Sequence, residues 1–180
     1  MKINDCRGKL IVVDMYSCNE AVINNVELVK EELTKAFRLH YYTEDMMYIT
    51  GSLCSWTPTF DDNPEKGHYQ FAIVNPNKEL IGYIDYYIDY YSSSVSRFGL
   101  YSFSRGNFIV GRDVLQELER IVASYHRVEW RMLGGNPIER HYDKFCEAHN
   151  GTKHVFRDAM RDRSGKYHDD ILYEIINPNV

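Results

Sequence analysis

The sequence predicts an α+β fold, a mixed central sheet with helices on both faces, built as a single domain over residues 1–180. Three observations carry this expectation. Helical and strand-type periods follow one another in the order strand, helix, one or two poorer helices, three strands, helix, strand, helix, two strands. The three central strands are joined by turns too short for a crossover helix, so they read as an antiparallel meander. The last of them runs into a glycine-bearing loop that opens directly into a helix.

Residues 9–15 form a short apolar run, the first strand. Val22, Val26, Val29, Leu33 and Phe37 then recur at three- and four-residue steps, one face of a helix, with Glu27, Lys30, Glu31, Glu32 and Lys35 on its wet side. Met46, Met47, Ile49, Leu53 and Trp56 suggest a second, weaker helix. The Asp61–Gly67 stretch is a turn, since Pro64 fixes one dihedral and Gly67 frees another. Strands follow at residues 68–74, 80–91 and 95–103, separated by Asn75-Pro76-Asn77-Lys78 and by Ser92 to Ser94. In the middle strand Ile81, Tyr83, Asp85, Tyr87 and Asp89 share one face, and Gly82, Ile84, Tyr86, Ile88 and Tyr90 the other.

A helical period resumes at Val114, Leu118, Ile121 and Tyr125. Residues 127–133 make a strand that ends at Gly134-Gly135. Asn136 suits an N-cap, Pro137 the first helical position and Glu139 the capping box, with Ile138, Tyr142 and Phe145 as the buried stripe and Asn150-Gly151 as the stop. Residues 152–156 and 167–176 are the final pair of strands.

Composition narrows the function. Hydrophobic residues at 44% and charged residues at 26% are ordinary for a soluble globular protein. The net charge of −5 divides into −6 before residue 91 and +1 after it, which argues against wholesale coating of nucleic acid. No run is long enough for a membrane span, and the first 15 residues lack the order of a signal peptide. Cys6, Cys18, Cys54 and Cys146 are scattered, so four free thiols in a reducing cytoplasm are expected. His126, His141, His149, His154 and His168 show no metal-ligand spacing, and no metal is expected.

The segment from Phe103 to Leu115 is the most informative. A strand, a loop bearing Gly106 and Gly111, and a helix start together aim backbone amides at one place, a cradle for phosphate, with Arg105 and Arg112 as charge partners. The alternative is a tight turn with two solvent-facing arginines. There is no Gly-Lys-Ser/Thr ending and no G-x-G-x-x-G, which disfavours both a P-loop and a dinucleotide fingerprint.

The meander, this glycine loop, the following helix and strand, and then Asn136 opening a helix that contains Tyr142 resemble the GNAT superfamily of acyl-CoA-dependent N-acyltransferases. The resemblance covers residues 9–176 and is sharpest over 100–150. It implies acetyl-CoA as cosubstrate, with Leu100, Tyr101 and Phe103 flanking the pantetheine arm. It also implies that Gly106, Asn107, Val110, Gly111 and Arg112, aided by Arg105, hold the phosphates, and that Asn136 and Tyr142 line the far side of the cleft. The family loop reads Q/R-x-x-G-x-G/A; here Gly106 stands where Gln or Arg is usual and Ile109 on the middle glycine. Asn136 and Tyr142 are six residues apart where seven is commoner.

Acyl transfer needs a neutral amine, oxyanion donors and an acid for the departing thiolate. The resemblance gives Tyr142 the acid's role, although its place on an amphipathic stripe also suits simple packing. Asp85 and Asp89, interrupting an aromatic strand face, are candidates to attract an amine or relay its proton, alongside Tyr83, Tyr87 and Tyr91; two solubilising surface acids explain the same letters. Cys146 lacks a partner for acyl-enzyme chemistry, so direct transfer is expected. The reading is therefore a cytoplasmic N-acetyltransferase, monomer or homodimer, acting on a small-molecule amine or a peptide and engaging neither membrane nor nucleic acid. The alternative is a non-catalytic GNAT-like module that binds an acyl-CoA or a protein.

Overall fold

The computed structural model describes residues 9–12, 34–35, 50, 67–74, 80–103, 106–162 and 164–180. The expected helix over 22–37, the weaker one after it, the 61–66 and 75–79 turns, Arg105, and Cys6, Cys18 and Cys54 lie outside the described residues, apart from Thr34, Lys35 and Thr50.

Among the described residues seven strands form one sheet: β1 (Lys9–Val12), β2 (His68–Val74), β3 (Leu80–Asp89), β4 (Ser94–Ser102), β5 (Arg127–Leu133), β6 (Thr152–Arg161) and β7 (Tyr167–Ile176). Their spatial order is β1-β2-β3-β4-β5-β7-β6. The meander is as expected, with Gln70 opposite Asp85 and Tyr83 opposite Tyr101. Among these pairings β4 with β5 is parallel, and helix α1 (Phe108–Val122) makes the crossover that parallel neighbours require. Helix α2 (Glu139–Ala148) then leads from β5 to β6.

Val110, Val114, Leu118 and Ile121, one stripe of α1, bury against Ile84, Tyr86, Val95 and Phe98 of the sheet. Each such side chain stabilises the fold by about 1.5–3 kcal/mol. Glu117 lies in this layer because the Tyr86 hydroxyl donates to it at 2.7 Å and Arg120 closes over both. On the other half of the sheet Trp130 stacks on Tyr173 at 5.2 Å and receives Tyr142 and Phe145 of α2 edge-on. The α2 end touches α1 through His149 and Glu119, so the two helices lie side by side on one face.

Two differences from expectation have local causes. The α2 helix starts at Glu139, three residues after Asn136. Asn136 Oδ1 accepts the Ile138 N–H, and the Glu139 carboxylate reaches back to the Gly135 N–H rather than to Asn136, so the turn before the helix is capped separately. The helix ends as expected: Asn150 takes a positive φ of 52° and the Gly151 N–H returns to the Cys146 carbonyl. Finally, β6 runs to Arg161 instead of Phe156, because a bulge at Asp158 (φ 50°), pinned by the Asp169 carboxylate, carries the ladder past the break in its period.

Candidate active site

The parallel pair β4/β5 sets the site. The strands pair from Ser94 with Arg127 to Phe98 with Trp130, with a register shift between Val95 and Phe98, and pair no further. Arg97, with φ 57°, bulges β4 just before the parting. Thr50 stands in the split: its N–H donates to the Leu100 carbonyl at 2.8 Å, the Leu100 N–H donates to its hydroxyl at 2.9 Å, and it bridges to Met132 on the other side. Carboxyl ends of parting parallel strands are where α/β sheets take ligands.

Tyr142 reaches this place from α2. Its ring is fully buried, edge-on to Trp130 at 5.6 Å and to Tyr173 at 5.8 Å. Its hydroxyl makes no hydrogen bond, whereas the Tyr173 hydroxyl donates to Asp143 at 2.7 Å. Burial pushes the Tyr142 phenol well above its ordinary value, and the nearby Thr50 hydroxyl offsets this in part without reaching hydrogen-bond geometry. The sequence reading left packing and chemistry both open for this residue. A packed ring whose polar tip is unpartnered is compatible with both.

Beyond β4 the glycine loop enters α1. Gly106 is exposed with φ 68°, and no acidic side chain stands in the first turn of the helix. A Cβ built on Gly106 or Gly111 would meet nothing within 4 Å, so both open onto free space beside the unpaired helical amides. That is the form a phosphate cradle needs. Asn107 is half-buried and its carbonyl accepts the Gly111 N–H at 3.4 Å. Val110 is buried in the core. Arg112 is placed differently from expectation: its Nε and Nη2 both donate to Asp113 Oδ1, at 3.1 and 2.7 Å, because that carboxylate is nearly buried and takes the closest cation.

On β4, Leu100 turns its backbone to the split, where Thr50 engages it, while the Phe103 N–H donates to Ile81 on β3 at 3.0 Å. Tyr101 likewise faces Tyr83 of β3, so of the three expected flanking residues only Leu100 offers its main chain to the split. Asn136 is buried in the capping turn that follows β5.

The two acids separate. Asp89 is exposed and caps the β3–β4 turn, accepting from the Tyr91 N–H at 2.9 Å and the Ser92 hydroxyl at 2.8 Å. It stands opposite Ser94, at the closed end of the β4/β5 pair, and so belongs to the turn and not to the cleft. Asp85 sits opposite Gly99, next to the split, and is fully buried instead of lying on a surface face. Its Oδ2 is 3.2 Å from His68 Nε2, and its Oδ1 has no partner. Burial raises its pKa, opposed by the hydrogen bond and charge of His68 and by Arg97. The tyrosines do not form a cage: Tyr83 accepts from Gln70, Tyr87 stacks on His68 at 4.2 Å, and Tyr91 is fully exposed. Sequence reasoning missed both Thr50 and His68; only the register of the β2/β3 hairpin would have brought His68 to Asp85.

No family model matches the sequence, and no curated protein matches it. Solved structures do. A chimera of the Vibrio cholerae spermidine N-acetyltransferase SpeG with hSSAT is 15% identical, with a TM-score of 0.61 over 95% of this chain and 96% of that one. A mutant of the Vibrio cholerae enzyme gives 14% and 0.60 over 94% of both chains. The same enzyme in complex with CoA and spermine gives 16% and 0.58 over 82% and 90%. With the β4/β5 split, the glycine-flanked α1 start and the order of seven strands in place, the chain has the fold of the GNAT acetyltransferases.

Proposed function

We propose that the protein is an N-acyltransferase that moves acetyl from acetyl-CoA to a primary amine of a small molecule or peptide, by direct transfer. The buried, unpartnered hydroxyl of Tyr142 at the parting of β4 and β5 is the observation that carries this reading. The acid-free α1 start and the open faces of Gly106 and Gly111 fit a pyrophosphate in the same cleft. Acetyl-CoA, when bound, supplies a thioester. The α1 amides hold its phosphates, and the parted edge of β4 aligns its arm. Tyr142 protonates the departing sulfur, and Asp85, held by His68, draws the ammonium and relays its proton.

The acceptor is a cationic amine. Acidity concentrated before residue 91 attracts such a molecule, and a neighbour of the same fold is held with CoA and spermine, which makes polyamines the first acceptors to try. A second reading, acyl-CoA binding without turnover, draws on one observation: Thr50 already saturates the Leu100 backbone. Thiol release from acetyl-CoA across a panel of polyamines, aminoglycosides and basic peptides decides between them. Amine-dependent release supports the transferase; binding without release on any amine supports the second reading.

A further inference from the structure

We infer that His68 makes the Asp85 site select an ammonium over a guanidinium, by occupying one oxygen of the buried carboxylate and leaving a single acceptor. The inference deepens the acyltransfer reading above and rests on its placing of the acceptor amine at Asp85. The β2/β3 register sets His68 opposite Tyr87 and Gln70 opposite Asp85. Directly opposed residues share a face, so these four form one patch, on the side of the sheet away from Tyr86 and α1. Two contacts hold the His68 ring in that patch. It stacks on the Tyr87 ring at a centroid distance of 4.2 Å and an interplanar angle of 3°, and its Nε2 lies 3.2 Å from Asp85 Oδ2. An ionised carboxylate only accepts, so Nε2 carries the proton of that hydrogen bond.

Oδ1 is left, fully buried and without a hydrogen bond among the described residues. Two neighbouring donors are turned elsewhere. The Gln70 amide donates to the Tyr83 hydroxyl at 2.8 Å, and the Arg97 guanidinium lies over the Tyr87 ring, 5.0 Å from its centroid. The β4 residue opposite Asp85 is Gly99, which sets no side chain between the carboxylate and the strand edge that β5 leaves after Phe98. A buried carboxylate oxygen without a donor is a place for a cation that brings one. An ammonium is a compact charge with separate donors, and one of them serves a single oxygen. A guanidinium is a planar fork that draws its strength from two parallel bonds to both oxygens of one carboxylate. With Oδ2 taken by His68 the fork loses one of its two bonds, and the ammonium loses none. His68 contributes no atom to the reaction and acts on the substrate through Asp85.

The probes are putrescine and the diguanidine built on the same four-carbon chain, which differ only in their head groups. Each is titrated calorimetrically at low salt into the protein saturated with CoA, which carries no acyl group, so binding is read without turnover. Wild type should bind putrescine about tenfold more tightly, the worth of one charge-assisted hydrogen bond. His68→Ala bares Oδ2 and should bring that ratio to about one or below, through tighter binding of the diguanidine. His68→Gln returns an N–H donor near the place of Nε2 and should keep the wild-type ratio. Asp85→Asn should weaken putrescine and erase the preference. Circular dichroism checks each fold; should His68→Ala not fold, His68→Asn, whose amide stops short of Oδ2, takes its place. An unchanged ratio in the folded variant overturns the inference. So does a His68→Gln protein that loses the preference as His68→Ala does, or a wild type that binds both probes alike or neither. Those results leave the transferase standing wherever an amine still releases thiol from acetyl-CoA. Release with no amine at all, beside an intact preference for putrescine, overturns turnover and supports the selectivity.

Discussion

Removing the Tyr142 hydroxyl should stabilise the protein while it disables it. The hydroxyl is fully buried and satisfies no hydrogen bond, so the folded state carries its desolvation without return. Such an unmade bond costs about 1–3 kcal/mol. Tyr142→Phe keeps the ring that Trp130 and Tyr173 meet edge-on, so packing contributes little to the difference. The expected gain is therefore about 1–3 kcal/mol, or a rise in Tm of about 2–12 °C for a chain of this size. The acid's contribution to the transition state disappears with the same atom, and single-turnover acetyl transfer should fall about 10²- to 10⁴-fold, with acetyl-CoA affinity little changed. Urea unfolding and quenched-flow transfer on one preparation measure both. A Tyr142→Phe protein that is less stable than wild type would show that the hydroxyl has a partner. A rate within twofold of wild type would leave Tyr142 a packing residue.

Three further outcomes follow from the same geometry. Gly111→Val should weaken acetyl-CoA binding about tenfold or more by filling the open space beside the α1 amides, yet leave the fold intact because its Cβ meets no protein atom; calorimetric titration with circular dichroism checks both. Asp85→Asn should raise the amine KM and leave acetyl-CoA affinity alone. Its stability relative to wild type should also grow with pH: a carboxyl raised by burial binds its proton more tightly when folded, so its contribution falls as pH climbs from about 4 through the raised value. Urea midpoints at several pH values read this, and a flat difference would refute it. Asp89→Ala should cost a little stability by uncapping the turn, with acetyl-CoA affinity and amine KM unchanged. Hydrogen bonds from Ser92 and Tyr91 lower this carboxyl, so the deficit should be present at neutral pH and fade as pH drops through its folded value.

The parts of the fold that a local period can announce were legible. The meander, the α1 stripe of Val114, Leu118 and Ile121, and the Asn150-Gly151 stop all stand where spacing and turn chemistry put them. Burial of Asp85 was not legible, because residues 81 to 88 are covered on both faces save for a half-buried Tyr87, and alternation carries no information there. Glu117 escaped for a similar reason: its partner Tyr86 lies 31 residues away. The division of labour between Asp85 and Asp89 depended on how far β3 runs before it turns. Thr50 was invisible, since a single residue that pairs with Leu100 and Met132 leaves no pattern around itself. The site is assembled by register and by one distant contact, and those are the features that sequence spacing transmits least.

The central claim is that one cleft joins the amides at the start of α1, the parted edge of β4 and the phenol of Tyr142. Amide chemical shifts followed while CoA is titrated into the protein test it most directly. The account predicts saturable shifts at Gly106 to Gly111 and at Leu100 and Ser102, with the β3–β4 turn around Asp89 unmoved. Shifts confined to that turn or to the β6–β7 end, or none at saturating CoA, would contradict it.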